Sequence, residues 1–296
     1  SAFRDCSNLS TITLSEGVVN IGKSAFSGCS SLSTITIPAS VTSIGDYAFE
    51  ECESLTNVNI SSSSKLTDIG IRVFWDCNSL TSINIPESVT SVGECAFKGC
   101  SSLTSINIPE SVTSIGESTF SGCSSLSAIT IPASVTSIGD YAFSDCSNLS
   151  TITLSEGVVN IGKSTFSGCS SLSAITIPES VTSIGNHAFQ YCNNLTIIEI
   201  PSSVTSIGNF AFANCRSLSS ITIDEGVKSI GDHTFWGCNL TSVILPDGMT
   251  SIGKRAFSSC SSLTAVTIPA SVTNIGEGAF SSCYWLKDVF CYAETT

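Results

Sequence analysis

The sequence predicts a solenoid of parallel β coils that occupies the whole chain, and three regularities carry the prediction. Thirteen of the 15 cysteines recur from Cys6 to Cys283 at steps of 23 residues, except 25 between Cys52 and Cys77 and 22 between Cys238 and Cys260. Thirteen of the 15 phenylalanines share one position, from Phe3 to Phe280. A glycine follows the last second-arm residue, Ile or once Val92, of every complete coil, from Gly22 to Gly276. A fixed period of roughly 20–50 residues marks units that cannot bury a core alone and must stack. Residues 1–296 hold about 12–13 such coils, a single domain with no linker.

The unit, as in Cys100–Gly122 with Thr119 in place of Ala, reads C-x-x-L-x-x-I-x-I-P-x-x-V-x-x-I-G-x-x-A-F-x-x. Phe26, Cys29 and Leu32 lie three apart, the spacing of a tight 3₁₀-like turn. Ile35 and Ile37 alternate with Thr34 and Thr36, the pattern of a strand with one buried face. All eight prolines directly follow the second inward strand residue, Ile in seven coils and Leu245 before Pro246, and end the strand without losing a ladder hydrogen bond. Where proline is missing, Ser15-Glu16-Gly17 and Asp224-Glu225-Gly226 supply a second turn chemistry for the same corner. Val41 and Ile44 build a second, short extended arm. Gly45 after it predicts either a positive φ or a close approach of backbone. Stacked in register, Phe26, Cys29, Leu32, Ile35, Ile37, Val41, Ile44 and their equivalents become the columns of a dry core.

Neighbouring thiols in the cysteine column fall about one coil spacing apart, ~4.8 Å. A disulfide wants its Cβ atoms within ~3.5–4.5 Å, so the column is expected to be reduced, its thiols acting as small hydrophobes. Cys291 replaces the second strand Ile and is expected to be buried. Residues Cys6–Ser24 and Cys146–Ser164 are identical, so the two copies are expected to follow one backbone path.

The balance of 11 Lys and Arg against 24 Asp and Glu gives a net charge of −13. With few clustered cations, binding to nucleic acid is not expected. No run approaches the ~18 apolar residues of a membrane helix, so membrane insertion is not expected either. Ser1-Ala2-Phe3 falls in the middle of a repeat, and no targeting segment is visible. The chain therefore reads as a fragment of a longer protein, without an N-terminal cap. Residues from about 284 to 296, with Trp285, Phe290 and Tyr292, read as a closing segment that covers the last coil.

The C-x-x-L-x-x-I-x-I-P, V-x-x-I-G and A-F-x-x-C blocks resemble the leucine-rich repeats of BspA-like bacterial surface proteins. The resemblance spans the entire chain, and Lys287–Glu294 is similar to the segment that ends such arrays. It implies a leucine-rich-repeat solenoid with one long parallel sheet on the concave face, short second strands and 3₁₀-like turns. It also implies an extracellular or cell-surface location and adhesin-like binding of proteins or glycans on a host cell, a neighbouring cell or matrix.

Residue chemistry gives no catalytic site, cofactor or metal. His187 and His233 stand two coils apart on an outer face without the three or four converging ligands that zinc requires. Asp46, Glu94, Glu117 and Asp140, each following the glycine, read as a solubilising column. No serine sits in a nucleophile elbow. The outward strand positions carry Thr, Ser, Asn and Ala through eight coils, as in Thr34/Thr36 and Asn57/Asn59. Such T-x-T ladders keep an ice-binding solenoid as a minor alternative. From the ninth coil the rule breaks, with Ile197 and Glu199, then Ser220 and Thr222, then Ser242 and Ile244, and finally Asp288 and Phe290. Apolar side chains turned outward gain nothing for the core, so Ile197, Glu199, Ser220, Thr222, Ser242, Ile244 and Phe290 are the candidate ligand-binding residues. The alternative function is a structural spacer or a self-associating array that stacks end to end.

Overall fold

The computed structural model describes residues 1–291. They form two compact units, Ser1–Gly157 and Val158–Thr296, each a run of parallel-strand coils. In the first unit, Thr34–Ile37, Asn57–Ile60, Ser82–Asn84 and Ser105–Asn107 make one parallel ladder, and Ala128–Ile131 pairs with Thr151–Leu154. In the second unit, Ile197–Ile200 pairs with Ser220–Ile223, and Ser242–Ile244, Ala265–Ile268 and Asp288–Cys291 form a further ladder. Burial alternates along these strands, out for Thr34 and Thr36 and in for Ile35 and Ile37. The alternation persists in Ala174–Ile177, which nevertheless lies outside any strand.

The longer ladders belong to the second arm. Two-residue strands such as Asn20–Ile21, Ser43–Ile44 and Asp68–Ile69 continue coil by coil to Ser137–Ile138 in the first unit. Their counterparts in the second unit run from Asn160–Ile161 to Asn274–Ile275. The sequence places one long sheet at I-x-I; the structure gives that arm several short ladders and the V-x-x-I arm the sustained one.

The turn side is bonded between coils as well. Ser24, Phe26 and Gly28 donate their N–H groups to the carbonyls of Asp46, Ala48 and Glu50 in the next coil, at 2.9, 2.8 and 2.8 Å. The i→i+3 bonds expected from the Phe–Cys–Leu spacing are present, Cys29 N–H to Phe26 carbonyl at 3.1 Å and Leu32 N–H to Cys29 carbonyl at 3.0 Å. No helical turn results, because two residues per coil are left-handed, as in Ser24 (φ 51°) and Gly28 (φ 73°). Both corner chemistries close the same turn: Val41 N–H reaches the Pro38 carbonyl at 3.1 Å, and Val18 N–H reaches that of Ser15 at 3.3 Å.

The consensus glycine is needed for space and not for φ. Gly139 is not left-handed, yet a Cβ there would lie 2.5 Å from the Glu117 amide nitrogen and 2.7 Å from the Gly116 carbonyl carbon. The positive φ falls two residues later, on Tyr47, Arg72, Cys95, His187, Phe210 and their equivalents. Nothing in those residue types signals it.

The core columns are closed. Phe26, Cys29, Leu32, Ile35, Ile37, Val41 and Ile44 are all buried, with Gly45 half-buried beside them. The phenylalanine rings stack nearly parallel at 5.3–5.6 Å from Phe3 to Phe143. In the second unit they do so at 5.1–5.4 Å from Phe166 to Phe280. No disulfide joins the described cysteines. Instead column thiols donate to the Phe carbonyl of the preceding coil, as Cys52 does to Phe26 at 3.2 Å, Cys100 to Phe74 at 3.1 Å and Cys215 to Phe189 at 3.0 Å.

Burial pushes these thiols up, Cys52 and Cys146 to about 12, and Cys77, Cys100 and Cys123 well above the ordinary thiol value. The thiolate is the nucleophile. Iodoacetamide treatment of the native chain, read by peptide mass spectrometry, is therefore expected to modify the exposed Cys6 and Cys291 while the 11 buried cysteines react only after unfolding. Labelling of Cys100 at the rate of Cys6 would contradict the closed column.

Three expectations need correction. Cys291 is exposed, because Asp288–Cys291 pairs along one edge only, with Ala265–Ile268. Trp285 and Phe290 remain 63% and 50% exposed and do not cover the last coil; Tyr292 lies outside the described residues. The identical segments also diverge. Thr151–Leu154 is a strand with Ile152 and Leu154 buried, whereas Thr11 makes one isolated bridge to Thr34 and Ile12 and Leu14 are half-buried. Gly17 has φ 105°, while Gly157 is not left-handed. Packing from neighbouring coils sets the conformation that the shared residues adopt.

Candidate functional site

The candidate residues lie on the outer face of the second unit's strands, and the pairing register puts them in two columns. Ile197 stands beside Ser220 and Glu199 beside Thr222, while Ser242, Ala265 and Asp288 align, as do Ile244, Thr267 and Phe290. Because side chains alternate along a strand, Ile198 and Ile200 fill the core and Ile197 is sent to solvent. Ile197 is 54% exposed and Ile244 74%. Glu199, Ser220, Thr222 and Ser242 are exposed around them.

Beside Ile244 an open groove of about 500 Å³ runs along the strand ends, where the ladder ending at Ile223 gives way to the one beginning at Ser242. Its apolar wall includes Ile244 and Pro246, and its rim carries Asp224, Glu225 and Asp247. The change of ladder follows the one-residue deletion at Cys238-Asn239-Leu240. Sequence reasoning finds the two isoleucines by their departure from the outward pattern. It misses Asp224 and Glu225, read there only as turn chemistry, and Asp247, which follows Pro246.

The turn face carries other chemistry that the sequence places less well. His187, Phe210 and His233 form one stack, with ring centroids 4.9 and 4.5 Å apart. Trp236 meets the His233 ring edge-on at 6.5 Å. Burial, then the Arg255 charge, holds the His233 imidazole below its ordinary value. In the first unit, Lys23 and Arg72 sit over the Tyr47 ring at 5.2 and 5.7 Å, and Arg72 also covers Trp75 at 4.5 Å.

In several coils the residue after the consensus glycine bonds a neighbouring coil, so Asp46 is more than a solubilising residue. The Asp46 carboxylate accepts from the Ile71 N–H at 3.0 Å, and Asn209 Oδ1 from the Asp232 N–H at 2.7 Å. Among the described residues, no group of three or more His, Cys, Asp or Glu is placed to hold a metal ion.

The family described as "BspA type Leucine rich repeat region" matches residues 1–104, 67–196 and 182–296. The chain belongs to that family.

The BspA-type chain is similar to a solved leucine-rich repeat protein from Bacteroides ovatus at 31% identity, TM-score 0.66, covering 95% of this chain and 85% of that one. It is similar to a leucine rich cell surface protein from Faecalibacterium prausnitzii at 30% identity, TM-score 0.57, covering 97% and 87%. The pneumococcal vaccine antigen PcpA shares the fold at 20% identity, TM-score 0.62, covering 97% and 77%. No curated protein sequence matches the chain.

Proposed function

We propose that this BspA-type chain is a non-catalytic, adhesin-like binding module, secreted or displayed on a cell surface, that captures a partner through the outward face around Ile197 and Ile244. The observation that carries the reading is the pair of exposed isoleucines on strands whose outward positions are otherwise polar. Apolar side chains left in water form the energetic centre of many contact surfaces. Family membership supports a repeat scaffold for macromolecular contact, and the relative described as a cell surface protein supports the location.

The spacer reading draws on a different observation: in the first unit the outward positions, from Thr34 and Thr36 to Thr151 and Thr153, are uniformly polar or small. One double variant separates the two. Ile197→Thr with Ile244→Thr is expected to lower capture of whole host or neighbouring cells at least tenfold in a plate adhesion assay. Its Tm should stay within about 2 °C of the parent, because exposed substitutions change stability by only ~0.5 kcal/mol. Unchanged capture by the variant would favour the spacer.

A further inference from the structure

Resting on that reading, we infer that the partner is a polypeptide segment in which basic side chains flank an aliphatic or aromatic one. Four carboxylates surround the exposed isoleucines within three coils. Glu199 shares the strand of Ile197, and Asp224, Glu225 and Asp247 rim the groove beside Ile244. All four are exposed. Among the described residues none of these four is in an ion pair. The cation beside the groove, Lys228, donates from Nζ to the Glu225 carbonyl at 3.2 Å, so its head is held at backbone and not at a carboxylate.

An apolar floor with an unpaired acidic rim is complementary to a cationic, apolar ligand. The floor supplies the desolvated anchor, and the rim supplies steering and register. Two features disfavour a glycan here. Sugars commonly dock by stacking on aromatic faces, and the lining of the groove holds no aromatic side chain. Charged glycans carry carboxylate or sulfate groups, which this rim repels. The groove also opens where one ladder gives way to the next, so a segment can seat between two coils instead of lying on a flat sheet.

The test displays random 12-residue peptides on phage against the immobilised full chain in 50 mM NaCl. Two variants run in parallel: Ile197→Thr with Ile244→Thr, and Glu199→Gln with Asp224→Asn, Glu225→Gln and Asp247→Asn. Peptides with Lys or Arg beside Leu, Ile, Phe or Trp are expected to be enriched. The amide variant should lower their association rate at least tenfold and flatten its dependence on salt up to 500 mM; the Thr variant should abolish retention. Tm within about 2 °C of the parent confirms that both variants are folded. Enrichment of neutral or acidic peptides that still require the isoleucines would overturn the charge inference and leave the binding face standing. Peptides that bind both variants as well as the parent would remove the face itself. Failure to enrich any sequence over a protein-free surface would overturn the inference as well.

Discussion

Gly139→Ala is expected to cost about 3 kcal/mol or more, the upper range for forcing atoms into a packed site, and to lower Tm by roughly 5–10 °C. The added methyl would meet the Glu117 amide nitrogen at 2.5 Å, the Gly116 carbonyl carbon at 2.7 Å and the Glu117 Cα at 2.8 Å. All three are backbone atoms held by the second-arm ladder, so none can swing aside as a side-chain tip would. The control is internal to the sequence. Gly22 holds the same consensus position, but a Cβ there meets nothing within 4 Å and its φ is not left-handed. Gly22→Ala should be neutral or stabilise by up to ~1 kcal/mol through the unfolded chain. Thermal unfolding by circular dichroism checks both, and equal losses at the two positions would show that backbone freedom, not crowding, explains the column.

Phe97→Ala is the second large effect, with an expected loss of about 3–5 kcal/mol. The ring is fully buried and stacked on both sides, 5.4 Å from Phe74 and 5.6 Å from Phe120. Removing it opens a void across three coils and leaves two ring faces without partners. Phe97→Leu should recover most of the buried area but not the ring–ring contribution, worth ~0.5–1.5 kcal/mol. Chemical denaturation of the three proteins should give that order, and a Leu variant as unstable as the Ala variant would mean that shape, not area, controls the column.

Most of the fold is legible because each coil repeats the same statement. Thr34-Ile35-Thr36-Ile37 declares a half-buried strand, and Pro38 its end. What the residues do not declare depends on neighbours. The Cys6–Ser24 and Cys146–Ser164 segments differ in strand content and in φ at Gly17 and Gly157, so identical letters do not fix the pairing. The left-handed position holds Tyr47, Arg72, Phe210 and His233, none of which announces positive φ. The serine two residues after proline was invisible as a linker, yet Ser40, Ser180 and Ser203 donate to Val18, Val158 and Val181 of the preceding coil at 2.7–2.8 Å. Ile197 and Ile244 were legible because they violate a pattern. Glu199 was legible with them, but Asp224, Glu225 and Asp247 were not, since their meaning comes from a groove that only neighbouring coils create.

The bonds between coils, on both strand arms and the turn side, have a mechanical meaning. Within each unit they join a residue to one about a coil away, and they lie along the stacking direction. A load applied along that direction is borne by all three sides of a coil in parallel. Pull is transmitted from the ends of the chain, so the weakest junction yields first, and each coil that peels away releases about 23 residues, roughly 75–80 Å of slack at ~3.3–3.4 Å per residue. A protein tethered between two surfaces could thus lengthen in steps and hold its remaining coils intact, behaving under tension as a series of breakaway links.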